Sequence, residues 1–404
     1  MISRMAEIMF WTGLSLTVYV YFGYPLLVGL LGYWSGETAP PPSYCPRLTL
    51  IIPAHNEERW IGHKLENTLR LDYPRHLLQI VLASDGSTDR TVEIARQFAG
   101  QGVEVVDFPQ RLGKQDMLNS LVQAVEGAVE GEVLVMTDTH ALLDPSSVRT
   151  LVRHFYDAQV GCVSGRRLCI VQAGVPQGAG ESWYWRYESW IKRSESRVHS
   201  CLGAQGQLYA VRRSIFPRVE KVGEDFYIPM KIIADGGQRV LFEPDAVAYT
   251  PAAANIGIEF ERKTRAHVSF LLTLALLPPL LLPWRNPVWW QYVSHHVLRM
   301  AVPLAMAGAL LGAILLAPVH PYYRAVTGLQ LLFYTLALVG LFLARRDLRI
   351  KIFYLPFYFV FANLAIARAL GRWPRRKYDH AWQRTERIPV SPEALPTKSI
   401  SVSL

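Results

Sequence analysis

Between residues 47 and 251, short apolar runs alternate with amphipathic stretches. The runs are LTLIIPA (48–54), LQIVLAS (78–84), VEVVDF (103–108), EVLVMTD (132–138) and VGCVSGR (160–166). Between them, EERWIGHKLENTLRL (57–71) and STDRTVEIARQFAG (87–100) place apolar residues at helical spacing. Continuous Val, Ile and Leu runs separated by helices predict strands covered on both faces. The expectation is an α/β domain with a mainly parallel sheet, binding its ligand at the carboxyl ends of the strands.

Outside that region the pattern becomes long and apolar. Residues 8–34 are almost uncharged, as are 350–370, and 292–318 and 322–344 apart from Arg299 and Arg324. Each can cross a hydrocarbon layer ~30 Å thick, which needs about 20 residues. The first predicts a retained anchor. It is long for a signal peptide, Arg4 is offset by Glu7, and Pro40-Pro41-Pro42 follows where a small-residue cleavage site would stand. Residues 268–284, VSFLLTLALLPPLLLPW, are broken by Pro278, Pro279 and Pro283 and predict a helix lying in the membrane interface. The resulting division is an anchor (1–36), a Pro-rich linker (37–46), the α/β domain (47–251), a basic segment with the interfacial helix (252–291), three transmembrane helices (292–371) and a basic tail (372–404).

Composition sharpens this division. Half of the 404 residues are hydrophobic and mean hydropathy is +0.14, which the apolar spans explain. The net charge of +9 gathers at Arg345, Arg346, Arg349 and Lys351, and again at Arg372, Arg375, Arg376, Lys377, Arg384 and Arg387. Both groups flank spans, so positive-inside placement and anionic membrane lipid account for them. No zinc-finger spacing or RNP-like run is present, and no nucleic acid is expected as partner. The four cysteines form no CxxC pair, which predicts reduced thiols. The spans hold few acids, against a transporter.

Candidate chemistry lies at the ends of the runs. In IIPAHNEE (51–58), Asn56 and Glu57 are placed to open and cap a helix. In LASDGSTDRT (82–91), Asp85 ends a strand where it can accept the N–H of a uracil ring, and Ser87 or Thr88 is placed to cap the next helix. RLGKQDMLNSLV (111–122) puts Gly113 and Lys114 at a helix start, suited to a diphosphate but without P-loop spacing. In VLVMTDTHALLDP (133–145), Asp138 and His140 alternate on a strand-like segment. An oxygen and a nitrogen there suit Mg²⁺ or Mn²⁺ bridged to phosphate; the structural alternative is a strand end with Asp144 capping the next helix. Glu224 and Asp225 open an amphipathic helix, either complementing its dipole or supplying a base. The aromatic-rich ESWYWRYESWIKRSES (181–196) suits a membrane interface, with room for acceptor contacts.

Taken in order, IIPAHNEE, DGSTD, GK…LN, TDTH, GAQGQLYAVRR, GEDF and RKTR resemble the membrane-embedded processive branch of the family 2 glycosyltransferases, the chitin, hyaluronan, cellulose and poly-N-acetylglucosamine synthases. The resemblance covers residues from about 45 to 370. It implies a GT-A (Rossmann-like) domain on the cytosolic face, an integral protein of the inner or plasma membrane, and a nucleotide-sugar donor, usually a UDP sugar. Ala54, Glu57 and Asp85 would hold the nucleoside, and Lys114 would lie near the diphosphate. Asp138, in the nucleotide site, and His140 stand at the metal motif. Asp225, beside Glu224, stands at the base. Gly203, Ala204 and Gly206 would shape the acceptor site. The pattern departs at two points. His140 replaces the second metal acid, and the Q-x-x-R-W motif, tied to the growing chain and the leaving diphosphate, appears only as RKTR: Arg262, Lys263 and Arg265 would neutralise the diphosphate, while the missing Gln and Trp count against long-chain processivity.

The function expected is inverting transfer to a growing polysaccharide or oligosaccharide, with export partners for the product. Single transfer to a lipid-linked acceptor, or a non-catalytic role in a secretion complex, are the alternatives.

Overall fold

The computed structural model describes residues 2–36, 41, 43–124, 129–170, 179–251, 255–346, 348 and 350–373. Most of the expected linker's first half, Arg349 and all but the start of the expected basic tail lie outside the described residues.

The chain begins with one long helix, α1 (Ile2–Val18) and α2 (Tyr24–Ser35), joined through a π-turn at Tyr19–Gly23. The strands follow: β1 (Leu48–Ala54), β2 (Leu78–Asp85), β3 (Val103–Phe108), β4 (Val133–Met136), β5 (Leu142–Leu143), β6 (Val160–Ile170), β7 (Tyr209–Arg212) and β8 (Arg239–Pro251). They form one sheet in the order β3-β2-β1-β4-β7-β6-β8-β5. β3, β2, β1 and β4 are parallel, and so are β6 and β8. β7 runs antiparallel between β4 and β6, and β5 antiparallel along β8. The sheet is therefore mixed and mostly parallel, as the apolar runs predict.

All seven residues of β1 are buried. Because side chains alternate across a strand, Ile51 enters one core with Met136, Tyr209 and Ile228. Leu50 and Ile52 enter the other, with Leu82, Val135 and Val163. The helices covering the domain are α3 (Ile61–Leu69), α4 (Thr91–Arg96), α5 (Lys114–Asn119), α6 (Ser147–Val152), α7 (Ala179–Val198) and α8 (Glu224–Gly236).

Two helix starts differ from expectation. Asn56 has φ +55° and the helix begins only at Ile61. The Asn56 side chain instead accepts from the Thr88 amide at 2.8 Å, while its own amide donates to Ser87 Oγ. Asp89, rather than Ser87 or Thr88, accepts from the Thr91 amide ahead of α4. Side chains that read locally as caps are used to bind the β1 and β2 loops to each other.

After β8 come α9 (Ile256–Leu276), α10 (Trp289–Tyr292), a π-turn (Val293–Val297), α11 (Leu298–Leu316), α12 (Pro321–Ala344) and α13 (Lys351–Arg372). Asn255 caps α9, and Leu277 and Pro278 close it, so the basic segment and the first part of the apolar stretch form one continuous helix. Four helices are long and apolar enough to cross a membrane: Ser3–Ser35, Trp289–Leu316, Pro321–Ala344 and Lys351–Arg372. The first has 33 residues, about 50 Å at 1.5 Å each, more than a ~30 Å hydrocarbon layer requires. Its α2 half packs on α7, where Tyr24 donates to Glu195 at 2.5 Å and Tyr187 to the Tyr21 carbonyl at 2.7 Å. Its α1 half crosses α11 at Gly13 and Gly312, where a Cβ would meet backbone atoms at 2.3 and 2.6 Å. Small residues of this kind let membrane helices approach closely.

Candidate active site

The parallel strands end beside one another, and the predicted residues sit on the loops that leave them. Ala54 closes β1 and is fully buried. Glu57 follows on that loop, its amide donating to Thr91 Oγ1 at 2.7 Å. Asp85 closes β2, also fully buried. Its carboxylate accepts from the amides of Leu112 at 2.6 Å and Gly113 at 3.0 Å. Asp85 thus holds the loop that launches α5, in addition to any contact with a base.

That loop delivers Lys114. Its ammonium lies 3.0 Å from Asp138 Oδ1 and 2.5 Å from Glu224 Oε1. Burial would push its proton off, but Asp138 and Glu224 outweigh burial and hold it charged. One cation therefore joins α5, the loop after β4 and the start of α8.

The Asp138 loop is a turn rather than the strand-like segment expected, since β4 stops at Met136. Thr137 donates to the Gln207 carbonyl at 3.0 Å and Thr139 to the Pro53 carbonyl at 2.9 Å. The turn still brings His140 Nε2 to 3.6 Å from Asp138 Oδ2. Gln207 Nε2 approaches the same Asp138 oxygen at 3.4 Å. Asp144 does what its structural reading requires, accepting from the Ser146 amide ahead of α6. The capping reading thus applies to Asp144 and leaves Asp138 and His140 beside each other on the turn.

Beneath the turn lies a residue that motif reading missed. Lys64, fully buried on α3, donates to Thr137 Oγ1 at 2.8 Å and to the Ala141 carbonyl at 2.5 Å. Burial lowers its pKa to about 7, against the opposing pull of Asp138. A signal did exist: Lys64 falls on the same helical stripe as the buried Ile61, Leu65 and Thr68.

The remaining predicted residues surround Asp225. The Ala204 amide donates to the Asp225 carbonyl at 2.7 Å. A Cβ at Gly206 would stand 3.1 Å from Asp225 Oδ2, and one at Gly203, where φ is +86°, would meet the Phe226 ring at 2.7 Å. Ser269 of α9 accepts from the Gly223 amide at 2.7 Å, steadying the start of α8. Burial raises the Asp225 pKa to about 6, the charge of Glu224 adds to this, and Lys114 opposes it.

Asp138 and His140 offer one carboxylate and one imidazole edge beside a lysine that already places positive charge there. No cluster of three or more His, Cys, Asp or Glu suited to a metal occurs among the described residues. One carboxylate oxygen and one imidazole nitrogen are donor types that a divalent cation such as Mn²⁺ would accept, with its remaining ligands from outside the chain.

The basic trio lies on α9. Arg262 is paired with Glu259 at 2.6 Å, and Lys263 sits 4.4 Å from the Tyr184 ring and 5.0 Å from that of Tyr358. Arg265 is partly buried on the same helix. The aromatic stretch of α7 thus faces α2, α9 and α13; Trp183 lies outside the described side chains.

Residues 49–219 match the family Glycosyl transferase family 2. A probable glycosyltransferase, YdaM, of Bacillus subtilis is 25% identical over 54% of this chain and 54% of its own length. The 4,4'-diaponeurosporenoate glycosyltransferase of Staphylococcus aureus is 32% identical over 27% of this chain and 28% of its own. The chain therefore spans about half, or less, of the length of these relatives. Among solved structures, the mannosyltransferase PcManGT from Pyrobaculum calidifontis, in complex with GDP-Man and Mn²⁺, superposes with a TM-score of 0.66 at 24% identity. The superposition covers 94% of this chain and 100% of that one, and shows a shared GT-A fold.

Proposed function

We propose that this glycosyltransferase, which carries a family 2 domain over residues 49–219, inverts the anomeric centre of a nucleotide sugar as it transfers a hexose. The observation that carries the reading is the Lys114 ammonium, held between Asp138 and Glu224, the neighbour of Asp225 in sequence. Lys114 neutralises charge developing on the leaving diphosphate. A divalent cation, Mg²⁺ or Mn²⁺, held by Asp138 and His140 would supply further electrostatic stabilisation there. Asp225 takes the proton of the acceptor hydroxyl. The new C1–O bond forms as the C1–O bond to phosphate breaks on the opposite face. An α-linked donor thus gives a β-linkage.

Ala54, Glu57 and Asp85 stand at the strand ends where the nucleoside would lie. A UDP sugar is the first donor to test, and the GDP-Man bound by PcManGT adds guanosine sugars to the panel. Gly203, Ala204 and Gly206 form the acceptor wall. We place the catalytic domain on the cytosolic face of the inner or plasma membrane, with a growing polysaccharide or oligosaccharide as acceptor. A lipid-linked acceptor is the second reading, favoured by the position of Lys263 between aromatic rings of α7 and α13.

The test is nucleotide release by the full chain in lipid nanodiscs with Mg²⁺ or Mn²⁺. Asp138→Ala and Asp225→Asn should each lose about 100-fold or more, the usual worth of a positioned base or charge. Wild-type turnover by Asp225→Asn would remove that residue from the base role.

A further inference from the structure

We propose that a cavity of about 320 Å³ between the membrane helices and α7 is the docking site of a phosphate-bearing lipid acceptor. The inference rests on the transfer reaction above and names its acceptor class.

Tyr21, Tyr184, Lys263, His267, Arg299 and Tyr358 line the cavity from five helices. The walls are mainly aromatic and apolar, which suits a hydrocarbon chain. Phe22 and Leu355 also line it and are 70% and 51% exposed. Both lie on helices apolar enough to enter a membrane, whether crossing it or lying in its interface, so the mouth faces lipid rather than the domain.

Two cations lie inside this apolar space. Lys263 is one. The other, Arg299, is buried and donates to Glu188 at 2.8 Å, yet its Nε and Nη2 have no hydrogen-bond partner among the described residues. A buried guanidinium edge left without acceptors is costly, and its fork matches two oxygens of a phosphate. An amphiphile with one anionic phosphate and a long apolar tail meets both demands at once.

Two of the lining helices also reach the start of α8. His267 lines the cavity, and two residues along α9, on the opposite face of that helix, Ser269 accepts from the Gly223 amide. Arg299 lines it, and three residues earlier His296 packs 5.0 Å from the Phe226 ring. Gly223 and Phe226 flank Glu224 and Asp225. A lipid phosphate held at Arg299 and Lys263 would present an attached saccharide hydroxyl towards Asp225.

The probe is dodecyl phosphate carrying a terminal diazirine, photolysed with the full chain in nanodiscs and mapped by mass spectrometry, with the matching dodecanol beside it. The phosphate probe should label cavity residues and the alcohol much less. Labelling should fall about tenfold, the scale of one lost charge-assisted contact, in Lys263→Gln. It should also fall in Ala362→Trp, which fills the space without touching the cations. Nucleotide binding, measured on the same samples, reports folding. Equal labelling by the alcohol, or labelling indifferent to both variants, overturns the lipid site. Nucleotide release without cavity labelling leaves the transferase reading standing and removes this acceptor. Cavity labelling without nucleotide binding by the wild type does the reverse.

Discussion

Glu224 and Asp225 are adjacent carboxylates with different surroundings. Glu224 is held by Lys114, whereas Asp225 lies against Gly206 with its pKa raised to about 6. The ionised form that would act as base is therefore the form the fold disfavours. Above its ordinary value of 3.8 the folded chain binds this proton more tightly than the unfolded chain. The stability associated with the group is thus largest below about pH 4 and falls as pH rises towards about 6. kcat/KM should rise through a limb near pH 6, since that ratio reports the free enzyme. Asp225→Asn should abolish turnover while melting no lower than wild type at pH 8, which calorimetry across pH would check. Lys64 makes a separate claim. Lys64→Met should keep the fold but loosen the Asp138 turn, weakening nucleotide and Mn²⁺ binding about tenfold, the scale of a lost outer support. Unchanged titration curves would show that the turn stands without it.

At the scale of elements, contact surfaces between helices set the tolerances. Leucine at Gly13 or Gly312 would drive side-chain atoms into the facing helix, costing about 1–3 kcal/mol as overpacking. The same change at Gly328 of α12, where a Cβ meets nothing within 4 Å, should be neutral. Thermal melting of the three variants in one detergent would separate them. The strands show which elements a sequence discloses. β1, β2, β4 and the start of β6 are legible because short runs of buried residues there are mostly Val, Ile and Leu, and β3 is legible from its valines although only Val103 is buried. β7 is quoted within a motif but not read as a strand, being only four residues long. β8 is hidden by Glu243, Pro244 and Asp245 in its middle. Glu243 is buried there with Arg153 and His154 meeting it at 3.0 and 2.7 Å, partners no local pattern reveals, and with the Asp245 amide donating to it at 3.0 Å. The site divides in the same way. Asp85, Lys114, Asp138 and Asp225 each sit in a motif that also allows a local capping or solvated role, and only the order of those motifs, with the resemblance it carries, makes them candidates. Lys64, Gln207 and Ser269 act through hydrogen bonds between distant segments and carry no motif.

For the whole molecule, the two ends of α13 matter most. Arg345 and Arg346 precede it, and at its far end Arg368 and Arg372 both pair with Glu261 of α9, at 2.7 and 2.8 Å. Basic residues favour the cytosolic side at either end, and α9 is the helix that leaves the catalytic domain. Both ends of α13 are therefore expected on the catalytic side, even though its length and apolarity suffice for a crossing. Single cysteines at Arg345 and Trp373, in a background lacking the native four, should react with an impermeant thiol reagent from one side of sealed vesicles. Reaction from opposite sides would show a crossing helix. The carboxylates of α7 have a further consequence. Glu195 is shared by Tyr24 and His295, and Glu188 is held by Arg299, so the domain's own acids take their partners from helices long and apolar enough to cross a membrane. Catalytic head and membrane base are consequently not interchangeable modules. A chimera that grafts a relative's head onto this base must import matching partners for both acids, and donor preference can be exchanged between relatives only in units that respect that boundary.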